Sequence, residues 1–125
     1  MTKRSSSHYK ALEYLAEHPE YIGIDPRDVS TVSVEQVLFH RGKFYCKIDL
    51  VYELNTGKAV IIEYKSNGHK ELIEKGESQL ERAVEFYQKI MKIPAEGRLI
   101  TGDSYPQLKR GRKKPLNFET KSKNK

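Results

Sequence analysis

The sequence predicts an α/β domain: a mixed β-sheet in the core order α-β-β-β-α-β, with helices packed on the sheet. Three observations lead there. Two apolar runs, Cys46-Lys47-Ile48-Asp49-Leu50-Val51-Tyr52 and Ala59-Val60-Ile61-Ile62-Glu63-Tyr64-Lys65, flank the hairpin signal Leu54-Asn55-Thr56-Gly57-Lys58. A stripe at helical spacing follows them: Leu72, Ile73, Leu80, Ala83, Val84, Tyr87, Ile90 and Met91. A last short apolar run, Arg98 to Thr101, is reached through that helix, and a right-handed crossover makes it parallel to the strand before the helix.

Each element has a local reason. Ser5 or Ser6 can cap a first helix that runs to Glu17 or His18, before Pro19, with Tyr9, Leu12, Leu15 and Ala16 as its apolar face. Residues 20–27 read as a loop. Val32 to Phe39 is a first strand, and Arg41-Gly42-Lys43 turns into a second, Phe44 to Leu54. The third is Ala59 to Ser66, broken by Asn67-Gly68. In the long helix, Gly76 is either the true start or a weak point. Glu77, Glu81 and Glu85 come early and Lys89 and Lys92 late, as the helix dipole favours, and Pro94 ends it.

At 125 residues the chain is one domain, or one domain with a tail. No apolar run approaches the ~20 residues that span a bilayer, so no membrane association is expected. The polar start, Met1 to Ser7, lacks a signal-peptide stretch, and the lone Cys46 offers no disulfide framework; together they point to a cytoplasmic location. The net charge of +6 is unevenly spread. Residues 1–106 carry 15 Lys/Arg against 16 Asp/Glu, whereas residues 107–125 carry 8 against Glu119 alone. We therefore divide the chain into a domain over 1–106 and a basic tail over 107–125. Lys109, Arg110, Arg112, Lys113 and Lys114 in that tail are candidates for binding a polyanion by counterion release; the bland alternative is a solubilising tail.

The chemistry concentrates in Asp49, Glu63 and Lys65. Such residues are rarely buried in apolar strands unless paired or bound to a metal. If Asn55, Thr56 and Gly57 form a three-residue loop, Leu54 pairs with Lys58, paired numbers sum to 112, and Asp49 lies across from Glu63. Like charges opposite each other, with Cβ atoms roughly 5 Å apart, destabilise a sheet. A divalent cation held by oxygen ligands reverses that sign. Lys65, two residues after Glu63, shares its face. The competing reading is a structural ion pair between Lys65 and one of the acids.

Ile48-Asp49 on one strand and Glu63-Tyr64-Lys65 on the next, in this element order, resemble the PD-(D/E)xK, or restriction-endonuclease-like, nuclease superfamily. The likeness covers roughly residues 8–103 and is nearest in style to archaeal Holliday-junction resolvases and RecB-like small nucleases. The family's usual Pro before the Asp is Ile48 here. The resemblance implies Mg²⁺ or Mn²⁺ bound by Asp49, Glu63 and the Tyr64 carbonyl, with Lys65 orienting water and stabilising charge on the phosphate. It implies hydrolysis of phosphodiesters in DNA, structure-selective or non-specific, and suggests a homodimer. It also implies a Glu from the first helix, Glu13 or Glu17, and a Gln from the next, Gln79. The alternative is a non-catalytic nucleic-acid-binding protein on the same fold that uses its tail, or a small interaction domain whose tail contacts RNA.

Lys47 shares a face with Asp49 and is a candidate phosphate contact, or simply solvated. Glu35 faces Asp49 if Arg41, Gly42 and Lys43 form a three-residue loop. Tyr87 reads as core. His8, His18, His40 and His69 show no zinc spacing.

Overall fold

The computed structural model describes residues 7–105 and 108. Ser5 and Ser6 and the tail cations from Lys109 onward lie outside them. One four-stranded mixed sheet, in the order β1-β2-β3-β4, is built from Val29–His40, Lys43–Leu54, Ala59–Lys65 and Ala95–Thr101. The first three strands are antiparallel neighbours, and β4 runs parallel to β3. Helix α1, Ser7–Glu17, precedes the sheet, and α2, Lys70–Glu85, makes the crossover from β3 to β4.

Strand β3 explains the layering. Val60, Ile62 and Tyr64 pack with Ala11, Leu12 and Leu15 of α1, while Ala59 and Ile61 pack with Leu80 and Ala83 of α2. The helices therefore cover opposite faces. A strand sandwiched this way needs apolar residues at every position, and Ala59 to Ile62 is such a run. The Tyr52 hydroxyl donates to the Leu15 carbonyl at 2.5 Å, tying α1 to the sheet centre.

The hairpin between β2 and β3 has the three-residue loop expected. Leu54 N donates to Lys58 O at 2.8 Å, and Gly57 takes φ +95°. The ladder from Glu53↔Ala59 to Leu50↔Ile62 keeps the sum of 112. The first hairpin differs from its expected form. Its turn has two residues, Arg41 and Gly42 at φ +56° and +78°, the pattern of a type I′ turn, so His40 pairs with Lys43. A bulge at Tyr45 then moves the pairing by one, from Phe39↔Phe44 to Leu38↔Cys46. Arg82 of α2 clasps the bulge: its guanidinium lies 4.5 Å over the Tyr45 ring and donates to the Tyr45 carbonyl at 2.9 Å.

Other boundaries shift for local reasons. β1 starts at Val29 and β4 at Ala95, both earlier than their apolar runs suggest, because a neighbouring strand is available to pair. The loop over 20–27 is partly replaced by short 3₁₀ turns at Pro19–Ile22 and Pro26–Asp28; Asp25 caps the second, accepting from Arg27 N at 2.9 Å. Gly76 is neither a start nor a break. It is buried inside α2, where a Cβ would come within 2.7 Å of Leu99 Cδ1 and 3.3 Å of Lys65 Cε. The helix closes in a π turn, Phe86–Ile90, which buries both Phe86 and Tyr87. Leu108 is buried in the cluster under α1, so the packed chain reaches two residues beyond 106. Among the described residues no helix is long and apolar enough to cross a membrane.

Candidate active site

The sheet changes the facing of two strands at one level. On β2, Cys46 and Ile48 pack in the cluster under α2, whereas Leu50 and Tyr52 pack under α1. These residues share parity, so regular alternation is broken between Ile48 and Leu50, at Asp49. On β1 the same switch separates Val34 from Leu38. Glu35 falls between Val34↔Leu50 and Gln36↔Ile48, hence opposite Asp49. Its φ of +54° is strained for a glutamate, a conformation that persists only where surroundings impose it.

On the other side of Asp49 the ladder to β3 stops after Leu50↔Ile62. Asp49 Oδ2 instead accepts from Tyr64 N at 2.9 Å, taking the place of a backbone acceptor. Asp49 and Glu63 are each only 4% exposed, and no other acidic or basic residue is so deeply buried among the described residues. Lys65 Nζ lies 3.6 Å from Glu63 Oε2. The three predicted residues therefore share one small region of the sheet.

The two carboxyls are held in different states. For Asp49, burial works against ionisation, but a hydrogen bond from His8, the Tyr64 N–H and the charge of Lys65 outweigh it and keep the group below the usual carboxylate range. Glu63 is pushed up to about 7, first by burial and then by the charge of Asp49, against the pull of Lys65. A buried acid pair with one member this reluctant to ionise resembles the divergent pairs found in catalytic sites.

His8 is the residue that sequence reasoning missed. Its Nε2 lies 3.4 Å from Asp49 Oδ1, its ring sits 5.7 Å from that of Tyr64, and the Asp49 carboxylate raises its pKa against the opposing effect of burial. A signal existed. His8 stands three and four residues before Ala11 and Leu12, the buried face of α1. Glu13 and Glu17 are both exposed, on the opposite side of the helix from that stripe, and neither is brought to the acid pair.

Gln79 stands one turn after Gly76, on the helix packed against β3. Its Oε1 is buried and has no hydrogen-bond partner among the described residues. Such an acceptor is costly unless something absent from the protein supplies a donor. Tyr87 is fully buried core, as expected, although its hydroxyl also lacks a described partner. Lys47 is exposed and lies 3.9 Å from Glu35 Oε2. Asp103 accepts from Gly68 N at 2.8 Å and closes the loop after β3.

Two hard carboxylates suit a cation that keeps most of its waters, as Mg²⁺ does. Among the described residues no group of three His, Cys, Asp or Glu side chains closes around one point. No protein-family model matches this chain, and no curated protein or solved structure is significantly similar to it.

Proposed function

We propose that this chain is a metal-dependent nuclease of the PD-(D/E)xK type, on a restriction-endonuclease-like version of the α/β fold, acting on DNA. The observation that carries the proposal is the buried Asp49–Glu63 pair on adjacent strands, with Lys65 at its edge. Folding two carboxylates into an apolar sheet at 4% exposure is costly unless a cation joins them. Asp49, Glu63 and the Tyr64 carbonyl would hold Mg²⁺ or Mn²⁺. When bound, the ion would activate water and stabilise charge on a phosphate. Lys65 would neutralise charge building on the phosphoryl oxygens, and the Tyr64 N–H would keep the Asp49 carboxylate oriented. Gln79 offers its unpaired oxygen to a water or a substrate donor.

The basic tail would supply affinity without base reading, which favours structure-selective or non-specific cutting. Cutting both strands of a duplex would call for a homodimer. One observation favours a second reading, a nucleic-acid-binding protein without catalysis. Each acid already has a basic partner, His8 for Asp49 and Lys65 for Glu63. The test is to incubate the protein with labelled duplex, single-stranded and branched DNA in Mg²⁺ or Mn²⁺, then in EDTA. The nuclease reading expects cleavage that EDTA abolishes. It expects Asp49→Ala and Lys65→Ala to lose at least about 10²-fold in rate while still binding DNA. Absence of cleavage on every substrate, or equal cleavage by the variants, leaves the binding-protein reading.

A further inference from the structure

Beside the acid pair lies a cavity of about 470 Å³ lined by Ser7, His8, Tyr64, Lys65, Ser66 and Leu72. We propose that it binds a phosphate group of the nucleic-acid strand next to the bond being cut. The chemistry of its wall is the argument. Among the described residues its lining includes the Lys65 ammonium, the His8 imidazole and the hydroxyls of Ser7 and Ser66, all of which can donate to phosphate, and no carboxylate. The Tyr64 ring and Leu72 form an apolar side on which a sugar or base can rest. Leu72 belongs to the first turn of α2, so the positive end of that helix borders the cavity.

The contrast elsewhere on the surface sharpens the assignment. The larger groove, about 810 Å³, runs along α2 and is lined by Glu74, Glu77, Glu81 and Glu85 against Lys89 alone among the described residues. A polyanion is repelled there and attracted to the smaller cavity. His8 joins the cavity to the acid pair, since its ring lines the one and meets Asp49 of the other. A phosphate held against His8 and Lys65 would fix the strand in register with Asp49 and Glu63. His8 is thus a substrate-contacting residue from α1, in the region where a Glu was expected.

The proposal rests on the nuclease reading for the source of the phosphate, but the pocket can be tested without cleavage. Inorganic phosphate is titrated into the full chain in EDTA, and backbone amides are followed by NMR. The amides of Ser7, His8 and Ser66 should shift and saturate in the millimolar range. Leu72→Trp, which fills the cavity, and His8→Ala, on a half-exposed side chain, should each weaken binding about tenfold or more. Oligonucleotides then identify the source. A terminal monoester gives tighter binding of strands phosphorylated at one end than of hydroxyl-ended strands, with the preference lost in both variants. A backbone diester gives equal binding of circular and linear strands, both weakened in the variants. No shift at these amides, or unchanged phosphate binding by both variants, overturns the proposal. Phosphate binding without cleavage of any DNA instead retains the pocket and removes the nuclease reading.

Discussion

Glu63→Gln should make the metal-free protein more stable at pH 8. In the fold Glu63 titrates at about 7, against an ordinary value of 4.5, because burial and the neighbouring Asp49 oppose its charge. A shift of this size corresponds to about 3 kcal/mol of destabilisation once the group is ionised in both the folded and unfolded states. The sign follows from proton counting. Between about 4.5 and 7 the folded state holds the proton more tightly than the unfolded chain. Stability therefore falls as pH rises through that window, is fully reduced above it, and is unaffected below it. Glutamine carries no charge at any pH and escapes the loss, although its buried amide returns about 1 kcal/mol through incomplete hydrogen bonding. The net gain at pH 8 is about 1–2 kcal/mol, or roughly 4–8 °C in Tm for a domain near this size. Thermal unfolding of both proteins in EDTA, at pH 4.5, 6 and 8, measures it. The gain should close as pH falls. Added Mg²⁺ at about a hundred times its Kd should reverse the comparison at pH 8, since it stabilises the wild type by about 2.7 kcal/mol and the variant far less. A variant no more stable than wild type at pH 8, or a gain that does not change with pH, would refute the reasoning.

Gly76→Ala should leave Tm within a few degrees of wild type, because a helix-propensity gain of about 1 kcal/mol offsets the contact with Leu99, yet cleavage should fall several-fold because the new methyl also crowds Lys65; equal rates would show that Lys65 tolerates displacement. Deleting residues 109–125, and keeping the buried Leu108, should weaken DNA binding and lower the magnitude of the salt slope, by about 0.9 for each lost phosphate contact; an unchanged affinity and slope would show the tail to be idle. Tyr52→Phe should cost about 1–2 kcal/mol in denaturant unfolding, by removing the donor to the Leu15 carbonyl that docks α1; a smaller loss would mean that the carbonyl is satisfied by His18 N, which already lies 3.2 Å away.

What was legible in the sequence was whatever a local rule fixes. The three-residue loop at Asn55-Thr56-Gly57 sets the β2–β3 register by counting, and the all-apolar run of β3 announces cover on both faces. The β1–β2 register was not legible from its turn alone. A two-residue turn and a bulge at Tyr45 together yield the offset that a three-residue loop would have given, and the bulge meets Arg82, far along the chain. The first helix was legible as a helix but not in its contact with the site. Which of His8, Glu13 and Glu17 meets Asp49 depends on the rotation of α1 about its axis. Ala11, Leu12 and Leu15 fix that rotation once they are buried, and Ala11 was absent from the predicted apolar face.

The position of the site follows from the break in alternation. In strict alternation Ile48 and Leu50 would share one face and Asp49 would point to the other. At Asp49 the strand changes facing, and its carboxylate takes His8 on one oxygen and the Tyr64 N–H on the other. Glu35, opposite, absorbs the same change in a left-handed backbone conformation. The ladder to β3 stops at this level, and Glu63 is buried beside Asp49. The strain at Glu35, the missing ladder bond and the reluctant charge of Glu63 are three costs concentrated at one level of a sheet that is otherwise regular on β3 and apolar on both faces. A fold gains nothing in stability from such a concentration. A ligand that binds the acid pair would recover part of it and would thereby link binding to folding at the level of Glu35, Asp49 and Glu63.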